Sequence, residues 1–122
     1  MYDHIGLRVK DLDASTRFYE AVLAPLGHVL ASHDETGAGL GPKGAPALWL
    51  ALASQEKNTG THIAFRAKDR ASVELFYAAG LKAGGKDNGG PGPRPDYAPT
   101  YYAAFLIDPD GNNVEAVCFA SE

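Results

Sequence analysis

The chain is short of several things at once. It has one cysteine, Cys118, in 122 residues, so no intrachain disulfide can form, and a reducing compartment is expected. It has no apolar run near the roughly 20 residues that a membrane-spanning helix needs. Its opening, MYDHIGL, is charged and passes straight into a strand-like pattern, which leaves no room for a secretion signal. The expectation is a soluble, cytoplasmic protein with no membrane partner. It also lacks a basic stripe. Cations such as Arg8, Lys10, Arg66 and Lys68 are scattered, the net charge is −4 and the pI about 5.5. That pattern argues against nucleic acid, which attracts clustered Lys and Arg. What the chain does have is ordinary globular material, 45 % apolar and 21 % charged. This suits one domain, residues 1–122, with a core that needs no disulfide or structural zinc.

Within that domain the sequence repeats itself. HIGLRVKD at 4–11 and HIAFRAKD at 62–69 agree at five of eight positions. At the same offset of 58, Phe18-Tyr19 falls on Phe76-Tyr77 and Gly27 on Gly85, and ten of 24 positions are identical from His4 to Gly27. Internal duplication follows. Further on, Gly41-Pro42-Lys43-Gly44 aligns with Asp108-Pro109-Asp110-Gly111 at an offset of 67. The nine extra residues belong in 86–100, a Gly- and Pro-rich loop. It is either a lid or a passive surface loop. Module one covers about 1–55 and module two about 60–120.

Each copy reads β-α-β-β-β. Residues 4–9 and 62–67 alternate like strands, with Ile5, Leu7 and Val9 on one face and His4, Gly6 and Arg8 on the other; Ile63, Phe65, Ala67 and His62, Ala64, Arg66 repeat the division. Asp11 and Asp69 are placed to cap the helices that follow. Ala14, Phe18, Ala21 and Val22 form one helical stripe, and Val73, Phe76 and Tyr77 the other. Strands are expected near 29–32, 38–40 and 47–53, then near 84–86, 101–107 and 113–119. DPDG at 108–111 is a hairpin turn. The class is α+β: paired βαβββ modules forming an open, curved mixed sheet with helices on the outer face. Two uncovered faces curved toward each other would enclose a cleft that receives His4 and His62.

The last strand, NNVEAVCF, places Val114, Ala116 and Cys118 on the helix side and Glu115 in the cleft. A carboxylate there needs compensation. A divalent ion held by His4, His62 and Glu115 supplies it, and this donor set suits Fe, Mn, Zn, Ni or Co with open positions. Pairing of Glu115 with Arg8 or Arg66 in a metal-free cleft is the other reading. Counting four residues past Gly44 gives Leu48 as the counterpart of Glu115, so three protein ligands are expected rather than four. The substrate-pocket candidates are Arg8 and Arg66 on the cleft face, Leu48 at the vacant slot, Arg94 and Tyr97 in the loop, and Tyr101 and Tyr102. Of the two tyrosines, one faces in and the other out. Trp49 is expected in the core, His28 and His33 in solvent, and Cys118 as a small buried hydrophobe. GGPGPR at 89–94 lacks the strand-to-helix context of a phosphate loop.

HIGLRVKDLDASTRFYE at 4–20, HIAFRAKD at 62–69 and DPDGNNVE at 108–115 resemble the vicinal oxygen chelate superfamily. That group includes glyoxalase I, extradiol dioxygenases, fosfomycin-resistance thiol transferases and bleomycin-resistance proteins. The resemblance implies the paired-module fold, His4 and His62 at first-strand ligand positions, and Glu115 at the last-strand one. Glyoxalase I usually has another carboxylate in the slot read here as Leu48. Dioxygenases usually place a tyrosine about ten residues before the carboxylate, where this chain has Ala104 and Phe105. It further implies a homodimer whose modules share sites across two chains, and a small-molecule substrate with two neighbouring oxygens. The ion would act as Lewis acid and Glu115 as a possible base, in lyase or isomerase, thiol-transfer or oxygenation chemistry. The competing expectation is a metal-free drug-binding protein of the bleomycin-resistance type.

Overall fold

The fold was analysed in a computed structural model, which describes residues 1–121. Module one runs β1 (Ile5–Val9), α1 (Leu12–Leu23), a 3-10 turn (Ala24–Leu26), β2 (Val29–His33), β3 (Gly37–Gly41) and β4 (Leu48–Leu52). Module two runs β5 (His62–Arg66), α2 (Arg70–Lys82), β6 (Lys86–Asp87), β7 (Gly92–Pro93), β8 (Tyr102–Ile107) and β9 (Asn113–Cys118). The short β7, inside the expected loop, is the one strand that composition hides. Both helices start as the sequence dictates. Asp11 accepts from the Ala14 amide at 3.0 Å and Asp69 from the Ser72 amide at 2.8 Å, satisfying donors that have no partner within the helix.

The two sheets repeat one topology. β1 pairs parallel with β4, which continues antiparallel to β3 and β2. β5 pairs parallel with β9, which continues antiparallel to β8; β6 and β7 both pair with β8. Each sheet is covered by its helix on one side. Leu7, Val9, Leu48 and Leu50 pack under α1, and Val114, Ala116, Cys118 and Leu106 under α2.

The helices also pack on each other. Gly80 of α2 leaves no room for a side chain, because a Cβ would meet Leu106 Cδ1 and, across the helix pair, Val22 Cγ1. A Cβ on Gly85 would lie 2.5 Å from Phe18 Cε1 and 2.9 Å from the Gly80 carbonyl oxygen. Because α1 is enclosed on two sides, its buried stripe is wider than the apolar periodicity suggests and takes in Ser15, Thr16 and Tyr19. The helix-side residues of both modules, Leu7, Leu48, Ile63 and Val114 among them, thereby join one core.

A buried polar clasp joins the modules at the DPDGN turn. Asp108 accepts from the Tyr19 hydroxyl (2.5 Å), the Asp110 and Asn112 amides (2.8 and 2.9 Å) and Asn112 Nδ2 (2.9 Å). Asn112 also donates to the Asn58 carbonyl at 3.1 Å and accepts from the Thr61 amide at 3.0 Å. Asp110 is reached by Ser15 Oγ at 3.3 Å and by Lys57 Nζ at 3.6 Å. Burial and the neighbouring Asp108 carboxylate drive the Tyr19 phenol far above its ordinary range, so it serves as a permanent donor.

The strand registers correct one alignment. Gly39 faces Trp49, and Gly6 faces Trp49 on the other side; Phe105 faces Glu115, and Ala64 faces Glu115. Both 105 − 39 and 115 − 49 give 66, not the 67 that the turn sequences suggest. The cause lies in the turns. The left-handed glycine falls at Gly44 in one and Gly111 in the other, one place apart in register, so matching glycine to glycine slips the strands. The counterpart of Glu115 is therefore Trp49. Leu48, 4 % exposed, is core on the helix side, and Trp49, 40 % exposed, stands on the open face rather than in the core.

Candidate functional site

Alternation along three neighbouring strands puts one set of side chains on the open face of the second sheet. β5 contributes His62, Ala64 and Arg66; β9 contributes Asn113, Glu115 and Val117; β8 contributes Ala103, Phe105 and Ile107. Tyr101 and Phe119 extend the face past the strand ends. Glu115 is the unusual member, because only 2 % of it is exposed although it lies on the uncovered side. Its neighbours enclose it. Oε1 is 3.0 Å from His62 Nε2, and Oε2 accepts a short hydrogen bond from the Tyr101 hydroxyl. Neither Arg8 nor Arg66 pairs with it.

His62 is held on both sides. Its Nδ1 lies 3.1 Å from the Asn113 carbonyl oxygen, and its ring stacks on Phe105 at 6.3 Å with the planes 22° apart. An N–H on Nδ1 donating to that carbonyl leaves Nε2 aimed at the carboxylate. Between an imidazole nitrogen and a carboxylate oxygen at this separation, a proton or a cation must sit. The same outer hydrogen bond to a backbone carbonyl is how metal-ligating histidines are oriented.

The rest of the face is aromatic and cationic. Tyr101 packs edge-on against Tyr97 at 5.1 Å and Phe119 at 5.3 Å. Arg66 lies 5.1 Å over Phe119 and Arg94 5.4 Å over Phe105. Arg94 is further pinned by the Gly92 and Gly90 carbonyls, each at 2.8 Å. Arg94, Tyr97, Phe105 and Asn113 border a hollow of about 330 Å³, and the buried Asn113 Oδ1 there has no partner.

Of the residues singled out from sequence, His62, Arg66, Arg94, Tyr97, Tyr101 and Glu115 are thus brought together on this face. Four are elsewhere. His4 is exposed beside Asp3, with Nδ1 2.7 Å from Oδ1. Arg8 donates from Nε to the Glu56 carbonyl at 3.1 Å. Leu48 is core. Tyr102 points to the helix side, donating to Glu74 at 2.7 Å under Arg70. Among the described residues no group of three or more His, Cys, Asp or Glu side chains could hold a metal ion. One chain therefore supplies two of the expected donors, His62 and Glu115, in contact with each other. Sequence reasoning did not single out Phe105, Asn113 and Phe119 for the site, although their parity with Tyr101 and Glu115 was available.

Tyr101 is a donor by necessity. Burial first, then its bond to the Glu115 carboxylate and that group's charge, push the phenol up to about 12. A folded-state value above the unfolded value of 10.0 means that the stabilisation is complete below pH 10 and is lost as pH climbs toward about 12. Tyr101→Phe is expected to remove one late ionisation from a spectrophotometric alkaline titration and to loosen Glu115. An unchanged titration curve would show that Tyr101 does not hold the carboxylate.

The comparisons with known proteins agree with this architecture. The profile of the Glyoxalase/Bleomycin resistance protein/Dioxygenase superfamily matches residues 2–116. A glyoxalase/bleomycin resistance protein from Albidiferax ferrireducens T118 is similar in structure, with TM-score 0.87 and 28 % identity over 97 % of this chain and 98 % of that one. A glyoxalase-related enzyme from Fulvimarina pelagi gives TM-score 0.74 and 20 % identity, over 97 % and 87 %. Lactoylglutathione lyase from Agrobacterium tumefaciens gives 0.67 and 23 %, over 97 % and 92 %. No curated protein matches. No helix among the described residues is long and apolar enough to cross a membrane. By its profile match over nearly the whole length, and by the paired modules that the match predicts, the chain belongs to the glyoxalase/bleomycin resistance/dioxygenase superfamily.

Proposed function

We propose that the chain acts as a homodimeric, divalent-metal-dependent enzyme on a small substrate with two neighbouring oxygens. The observation that carries this reading is the buried Glu115 carboxylate facing His62 Nε2 at 3.0 Å, with His62 Nδ1 committed to a backbone carbonyl. The two groups fit a metal site as two of its ligands. The third donor, His4, belongs to the other module, is exposed, and does not join them among the described residues of one chain. A second copy, laying its first sheet over the second sheet of its partner, would deliver it.

When bound, the ion would act as Lewis acid on the substrate oxygens and stabilise the oxyanion that develops. The chain's own residues do the rest. Asn113 fixes the orientation of His62, Tyr101 steadies the far oxygen of Glu115, and Phe105 and Phe119 keep water from the face. Glu115 is the carboxylate on this face that would take a proton from a substrate carbon or oxygen. Arg66 and Arg94 make the rim attractive to anions.

A metal-free binding protein is the second reading. It is favoured by one observation: both Glu115 oxygens already have partners within the chain, amid four aromatic rings. Elemental analysis and metal titration of protein purified without chelator or affinity-tag metal separate the two. About one ion per chain is expected, with affinity reduced by about 100-fold or more in His62→Ala, Glu115→Gln and His4→Ala. No uptake on titration would overturn the metal reading and leave the sequestering one.

A further inference from the structure

The open face of the first sheet carries, beside His4 and Arg8, one indole. Trp49 stands on β4, a central strand between β1 and β3, yet it is 40 % exposed. Its indole lies flat on the backbone of Gly39. A Cβ there would fall 2.5 Å from Cζ3 and 2.9 Å from Cε3 and Cη2. Gly6, its other register partner, also lacks a side chain. The ring therefore rests on the Gly39 backbone and is still 40 % exposed. By register it occupies the position that Glu115 holds in the second module.

Resting on the dimeric reading above, we propose that Trp49 is a specificity-determining residue: it receives the flat, unsaturated portion of the substrate while the neighbouring oxygens are bound at His62 and Glu115. In that assembly the first sheet of one copy covers the second sheet of the other, so the indole of one faces the His62–Glu115 pair of its partner. A ring seated on backbone and part exposed favours planar π-systems over saturated groups of like size. Restricting conformational freedom in advance adds to the preference, because Gly39 and the indole are already ordered.

Benzohydroxamate and acetohydroxamate test this. They share a headgroup with two neighbouring oxygens and differ in bearing a phenyl ring or a methyl group. Calorimetry on zinc-loaded dimer is expected to show benzohydroxamate binding about tenfold more tightly. Trp49→Phe should keep most of that difference, and Trp49→Ala should abolish it while leaving acetohydroxamate affinity unchanged. Since Trp49 is the single tryptophan of the chain, its emission should respond to benzohydroxamate and not to acetohydroxamate. If both probes bind, both are weakened by Glu115→Gln, and Trp49→Ala leaves their ratio intact, the role of Trp49 is overturned while the metal site stands. If neither probe binds, the metal-site reading fails and takes the proposal with it.

Discussion

Asp108→Ala is expected to cost about 3–5 kcal/mol of folding stability, most of what a domain of this size has to lose. The reason is the number of donors left behind. Four hydrogen bonds end on this carboxylate, which is 4 % exposed. Truncation strands the hydroxyl of Tyr19, itself fully buried, together with two amides and the Asn112 side chain. Buried donors without acceptors forfeit their hydration and gain nothing in return. The loss should appear as a fall in Tm of roughly 10–20 °C. Tyr19→Phe removes one donor and leaves the carboxylate with three, so about 1–2 kcal/mol is expected. Since the clasp joins α1 of one module to the last hairpin of the other, unfolding should remain a single transition in wild type. Urea denaturation followed by both far-ultraviolet circular dichroism and Trp49 emission checks this. A loss under about 1 kcal/mol in Asp108→Ala would mean that water replaces the clasp without penalty.

The second large effect concerns where the proposed metal site would be assembled. His4→Ala and Glu115→Gln are each expected to lose metal binding when prepared alone. Mixed in equal amounts and allowed to exchange subunits, they should regain about a quarter of the wild-type sites. Half of the random dimers are mixed. Each mixed dimer joins the intact His4 of one chain to the intact His62 and Glu115 of the other, and its second site is doubly defective. A site built within one chain can regain nothing by mixing. Zero recovery, with subunit exchange verified by differently labelled chains, would therefore refute the shared site. Recovery near a quarter would establish it without any crystal.

How much of this was legible beforehand can be stated residue by residue. The duplication, the two helices with their Asp11 and Asp69 caps, and the α+β architecture were readable because period, capping and repetition are local signals. The inward-facing Glu115 was readable from alternation in one strand, and its contact with His62 follows from the parallel pairing of β5 and β9. Two things were not. The identity of the counterpart of Glu115 depended on strand register, which the turn sequences misstate by one residue, and a one-residue slip exchanges the two faces of a strand. Hence Leu48 was read as facing the cleft and Trp49 as core, the reverse of the structure. Nor could the mutual packing of α1 and α2 be read. It rests on Gly80 and Gly85, and in sequence a glycine looks the same whether it makes a turn or admits a neighbouring helix. That packing sets how the two modules sit together, and no pattern along the chain announces it.

The two halves have also ceased to be interchangeable. Where one keeps an acid, its twin keeps an indole; where one hairpin carries the aspartate-rich clasp, the other carries prolines. A lone module would have had to serve as both floor and ceiling of any chamber built by self-association. Doubling the gene released each copy to diverge, and on the proposed function one would hold the reactive groups while the other would present the surface that tells substrates apart.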